Sequence, residues 1–291
     1  MESFANAIVS GLISGSLYAA MALGLTIIYG ISRIFNFGHG IVALMGAYTA
    51  WLFVQRAETA GLSLLAGMVI SCAVLFGFGM LVYQFAMKPL MKKPNWEIST
   101  VLFMLGMGIL MENVILQLFG PRVKSIPVFA EGYLKLGTVQ INWHELIIIG
   151  IVVVAIFVFN LFFKLTRTGQ SMRAVAQSVP GAKVVGIDIE RIFGLTFGIA
   201  FAVTGFSGIL LGTKYFMNPH IGWEWMVKGF VIVCFGGLGS TNGAIYAAII
   251  LGVVEALATL YFGAMWVWPI WFTIFLIVLL VRPQGILGGR A

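Results

Sequence analysis

Two apolar runs on either side of a basic stretch constrain this chain more than any other feature. HELIIIGIVVVAIFVFNLFF ends at Phe163, and IFGLTFGIAFAVTGFSGILLG begins at Ile192. Each is close to the twenty or so residues that a helix needs to cross a hydrocarbon core. Between them lies KLTRTGQSMRAVAQSVPGAKVVGIDIER, residues 164–191, carrying Lys164, Arg167, Arg173, Lys183 and Arg191. Lipid offers no partner to peptide N–H and C=O groups, so runs of this kind cross as helices and the polar stretch emerges between them. Its positive charge assigns that side to the cytoplasm.

The emergent stretch has a pattern of its own. Met172, Val175, Ala176 and Val179 recur at i, i+3, i+4 and i+7, the spacing of one helix face. Pro180 can open a second short helix, because its missing N–H is not needed in a first turn. Gly186 is placed to close it in the left-handed conformation. Such a helix pair either docks into a groove on a soluble partner or packs on its own membrane helices, and these residues leave both readings open.

The rest of the chain repeats the alternation. Only 9% of the 291 residues are charged, against about 25% in a soluble domain. The expected fold is therefore an all-α polytopic integral membrane protein, residues 1–291 forming one transmembrane domain with about eight to nine segments, some broken or re-entrant. No polar stretch is long enough for a separate soluble domain. The net charge of +7 is spread in small groups between apolar runs, which is membrane orientation and not nucleic-acid binding. Cys72 and Cys234 sit inside apolar runs and read as small packed residues.

In order, the first span (about 6–31) has Gly11, Gly15 and Ala19 on one face, an invitation to close helix approach. Asn36, Phe37, Gly38, His39 and Gly40 then separate two apolar segments with almost no loop length, which predicts a broken helix lining a cavity or buried in protein. Spans follow at about 41–55, 63–87 and 98–119, with Lys88, Lys92 and Lys93 as a second cytoplasmic marker. Glu112, inside the fourth span, is either a functional ionisable residue or one that reaches interfacial water. Residues 120–143 read as an external loop containing a small hairpin. A second glycine-rich interruption, GGLGSTNG at 236–243, contains Gly236, Gly237, Gly239 and Ser240. Paired interruptions point to a transport pathway. Lys228 and Glu255 lie near it, as interface-reaching side chains or as an ion pair. Arg282 and Arg290 mark a cytoplasmic C-terminal end, and alternation then places the first residues outside, with about nine segments between.

The ordered set of these pieces resembles the permease subunits of branched-chain amino-acid ABC importers, the leucine/isoleucine/valine type. The resemblance rests on GLISGSLYAAMALGLTIIYGISRIFNFGHG at the start and FGPRVKSIP at 119–127. It continues in RAVAQSVPGAKVVGIDIERIFGLTFGIAFAVTGFSGILLG at 173–212, KGFVIVCFGGLGSTNGAIYAAIILGVVEAL, and the VRPQGILG ending, which is most similar to the smaller of the two permease types. It implies an ABC-importer permease fold with no catalytic residue and no metal. It also implies partners: a second homologous permease sharing the pathway, two cytoplasmic ATPase subunits that bind ATP and Mg, and a periplasmic or surface substrate-binding protein. The setting implied is a bacterial or archaeal cytoplasmic (inner) membrane. The 173–186 helix pair becomes the coupling element, with Arg173, Ala174, Gln177, Ala182, Gly186 and Asp188 at or supporting the ATPase contact. Relatives of this kind also carry urea, short amides or aromatic and carboxylic solutes. An ion-coupled secondary transporter using His39, Glu112, Lys228 and Glu255 is the rival from a different class.

Overall fold

α1 (Glu2–Ser32) is buried along most of its length, because its small residues admit other backbones where larger ones would hold them off. In this computed structural model, which describes residues 2–56, 60–136 and 139–288, a break at 33–38 separates α1 from α2 (His39–Arg56). α3 (Ala60–Val82) runs on through a π-helical turn at Tyr83–Met87 into the short α4 (Lys88–Leu90), and α5 (Trp96–Phe119) follows. An antiparallel hairpin of β1 (Tyr133–Leu136) and β2 (Val139–Asn142) leads into α6 (Trp143–Leu165). Two short helices come next, α7 (Arg167–Gln177) and α8 (Val179–Val184). α9 (Ile189–Lys214), α10 (Ile221–Gly236), α11 (Thr241–Phe262) and α12 (Val267–Val281) follow.

Among the described residues, seven helical stretches are long and apolar enough to cross a membrane. α2 and α10 fall outside that set, and each abuts a break in the chain. Together they make the nine segments that the alternation of apolar runs predicts, and the hairpin expected in 120–143 is present. Arg290, expected to mark the C-terminal end, lies outside the described residues.

The centre is built from glycine contacts. A Cβ on Gly11 would sit 2.6 Å from the Val253 Cα, and one on Gly15 would sit 2.8 Å from the Ile249 Cα, so α1 and α11 touch backbone to backbone. Gly46 of α2 meets Gly205 of α9, and Gly208 of α9 lies against Ala43. Between helices in lipid there is no hydrophobic gain, since the tails are as apolar as leucine; close contact supplies dispersion and lets small polar groups bond across helices. Ser71 does so, donating to the Gly46 carbonyl at 3.1 Å. α5, α6 and α12 instead present wide apolar faces outward, at Leu102, Val154, Phe157 and Leu280 among others.

The contacts define two ends. At one, Lys124 and Met217 pair through backbone, and Lys214 reaches Glu145 at the start of α6 at 3.4 Å. At the other, Lys88 pairs with Glu190 at 2.8 Å, and the last turns of α1, α6 and the 239–242 stretch converge beside α7. The stretch after α12 returns to this second end, where Ile286 N–H donates to the Phe235 carbonyl at 2.9 Å.

Candidate functional site

The first interruption is a side-chain construction. Arg33 takes φ +59°, turning the chain back toward the middle of α1. Asn36 is buried; its Oδ1 accepts from Gly38 N–H at 3.0 Å, and its Nδ2 has no partner among the described residues. The His39 ring is fully buried. Its Nε2 donates to the Met21 carbonyl at 2.9 Å, and its Nδ1 lies 3.3 Å from the Thr204 hydroxyl, which also donates to the Ala200 carbonyl at 2.6 Å. The ring thus faces α1 and α9 and ties the start of α2 to both. Phe37 turns the other way, its ring 5.8 Å from Phe230 and 6.4 Å from Phe35. A Cβ on Gly38 would lie 3.0 Å from the Met104 carbonyl, which seats the break directly on α5.

The second interruption is mostly backbone. Gly237 and Gly239 take φ +106° and +83°, values that L side chains seldom adopt, and so the chain can turn from α10 into α11 within four residues. Ser240 caps α11 by accepting from Gly243 N–H at 3.1 Å. Gly236 lies against Gly243. The carbonyls left free at the end of α10 are satisfied by the returning tail: Phe235 accepts from Ile286, and Gly236 accepts from Leu287 at 3.0 Å. The sequence showed the glycines but gave no sign of this tail pairing, because nothing local links 286 to 235.

Of the two acidic candidates, Glu112 joins the first interruption's neighbourhood. It accepts from His220 Nδ1 and Trp223 Nε1, and Trp223 in turn packs near Gly108, whose Cβ position is 3.3 Å from the Gly38 Cα. His220 is exposed at that end, which favours the interfacial reading of Glu112. Glu255 lies elsewhere, in an ion pair with Lys228 at 3.0 Å between α10 and α11. Lys228 is only 7% exposed and is ringed by Tyr18, Trp268 and Trp271, with its ammonium 5.0 Å from the Tyr18 centroid. Tyr18 donates to Glu255 at 3.1 Å, and Glu224 lies 3.4 Å from the ammonium. The aromatic cage could not be read locally, since its members come from α1 and α12, both distant in sequence from Lys228.

At the far end, α7 and α8 form as the spacing predicts, with one departure. Met172 and Val175 are buried and Ala176 is half-buried, but Val179 is exposed, because Ser178 breaks the helix in extended conformation and turns α8 away. Thr166 and Ser178 cap the two helices, accepting from Gly169 and Gly181 N–H at 3.0 and 3.1 Å. Gly186, at φ +82°, closes α8 while Ile187 N–H reaches back to the Ala182 carbonyl at 3.0 Å. Asp188 caps α9, accepting from Arg191 N–H at 3.1 Å. Of the six coupling candidates, Arg173, Gln177, Gly186 and Asp188 are exposed and Ala174 is half-buried. Ala182 is 3% exposed and packs inward, so it can support the surface but not form it. Val184 and Val185, at 87% and 73%, are the apolar side chains this surface offers.

The chain matches the family described as "Branched-chain amino acid transport system / permease component" over residues 7–282. It belongs to that family. It is 32% identical to the high-affinity branched-chain amino acid transport system permease protein BraD of Pseudomonas aeruginosa, over 97% of this chain and 94% of that protein. Identity to the corresponding LivH protein of Escherichia coli is 30%, over 98% and 96%. The LivM permease of Escherichia coli is 25% identical, and the match covers 93% of this chain but 68% of that longer protein. Membership in the smaller permease type thus agrees with the ending RPQG. Among the described residues no cluster of His, Cys, Asp or Glu is arranged to hold a metal ion.

Proposed function

We propose that this chain, residues 1–291 acting as one transmembrane unit, is a permease subunit of an ATP-driven importer of branched-chain amino acids in a bacterial or archaeal cytoplasmic membrane. The observation that carries this is the family match from residue 7 to residue 282 on a scaffold whose second interruption ends α10 and whose first packs Phe37 on Phe230 of that same helix. The chain forms the pathway with a second, homologous permease. A binding protein presents the solute at the end bearing the hairpin. Two ATPase subunits, holding ATP and Mg, grip the α7–α8 elbow, whose exposed valines and capped helix ends suit a groove on a soluble partner. Asn36, Phe37, Gly38, Gly239 and Ser240 stand nearest the route, and Gly236 and Gly237 set the turn between them.

The test is uptake of labelled leucine into vesicles containing this chain, its permease partner and the ATPase subunits, with the binding protein outside. Uptake that needs every component and internal-facing ATP supports the reading. Uptake by this chain alone on a proton gradient would establish the ion-coupled alternative. ATP-driven uptake of urea or an aromatic acid in preference to leucine would keep the mechanism and change the cargo.

A further inference from the structure

We propose that the groove between α1 and α6 is a binding site for an anionic phospholipid of the leaflet on the coupling side. Two cavities lie along this seam and share one wall residue, Phe159. The upper, about 350 Å³, is walled by apolar side chains, including Ala20 and Leu23 of α1, Ala155 and Phe159 of α6, and Val203 of α9. The lower, about 320 Å³, is polar: Asn160 and Lys164 from α6, Arg173 from α7, and Ser240 and Asn242 at the start of α11. On α1 the lining advances from Ala20 and Leu23 to Thr26, Ile27, Gly30 and Ile31, one helical face followed toward the basic end. That face covers roughly 16 Å at 1.5 Å rise per residue, about the length of an acyl chain's ordered portion.

The charges specify the occupant. No acidic side chain lines the lower cavity. The Lys164 ammonium and the Arg173 guanidinium form no ion pair or side-chain hydrogen bond among the described residues. Two cations lining a cavity that shares Phe159 with an apolar one match a phosphate headgroup with its own acyl chain alongside. Basic pockets between membrane helices recognise anionic headgroups in this way. Alongside it α6 exposes Val154, Phe157, Val158 and Leu161, a face suited to lipid. A free phosphate would use the cations and leave the apolar groove unfilled; an acidic side chain of an ATPase subunit would do the same. The inference shares Arg173 and Ser240 with the proposed function, and lipid retention is measurable without transport.

The experiment is native mass spectrometry of the complex extracted from mixed phosphatidylglycerol and phosphatidylcholine vesicles, comparing the wild type with three variants. The double variant Lys164→Gln/Arg173→Gln is expected to lose about tenfold or more of its retained phosphatidylglycerol, with phosphatidylcholine unchanged. Ala155→Phe, which fills the apolar part without touching charge, is expected to lose it too. Arg167→Gln, an exposed cation on α7 outside the cavity, is expected to retain it. Undiminished phosphatidylglycerol in the double variant overturns the proposal, as does full displacement of the lipid by inorganic phosphate. Loss of ATPase subunits from the double variant with lipid retained would assign the two cations to the protein partner instead.

Discussion

At residues 33–38 the chain turns back by means of side chains, with Asn36 bonding its own loop and His39 reaching two other helices. At 237–240 it turns mainly by backbone, through two glycines at positive φ and a tail whose N–H groups finish the helix, with Ser240 capping the next one. The first break is buried and cross-linked to α1, α5 and α9; the second borders the basic cavity, with Leu238 partly exposed. A break held by packed side chains cannot shift without breaking several helix contacts at once. A break held by glycine torsions and two exchangeable hydrogen bonds can. From this contrast we propose that the first break anchors and the second moves, with α10 lying between them.

The largest expected effect comes from releasing that helix. Lys228→Met leaves Glu255 without its cation in a mostly buried setting, which should cost about 3–5 kcal/mol and appear as a large fall in melting temperature in detergent. Adding Glu255→Gln should recover much of the loss, and failure to recover would show that the aromatic cage, not the ion pair, holds α10. Next, His39→Ala opens a cavity and removes the link between α1, α2 and α9, for about 2–4 kcal/mol. If its cost is no greater than that of a change at the second break, the comparison fails. Gly239→Ala places a side chain at φ +83° and should cost about 1–2 kcal/mol, with uptake reduced more than thermal stability. Smallest is Ile286→Pro, which deletes one N–H to the Phe235 carbonyl, for about 1 kcal/mol. Its signature is a change in thiol accessibility of a Ser240→Cys reporter with little change in melting.

Much of this scaffold was legible in the residues themselves. Length and apolarity announce a spanning helix, and small-residue spacing announces a close contact, so the tight face of α1 at Gly11 and Gly15 follows from the sequence, though not its partner α11. Turn chemistry is equally local, which is why Pro180 and Gly186 bounded α8 correctly. What could not be read was which helices meet. Whether His39 faced a cavity or other helices depended on Met21 and Thr204, 18 and 165 residues away. The Lys228 cage and the tail over α10 are likewise products of long-range packing. The resemblance placed Ala182 at or supporting the coupling contact, and its burial within α8 leaves it the supporting role.

The central claim is that a chemically inert conduit is worked through the α7–α8 elbow, and the most direct measurement is ATPase-subunit co-purification and stimulated ATP turnover for Val184→Asp/Val185→Asp. Both side chains are exposed, so membrane insertion and melting should be unchanged. The account predicts loss of the ATPase subunits and of stimulated turnover. Full association and normal turnover in that variant would contradict it.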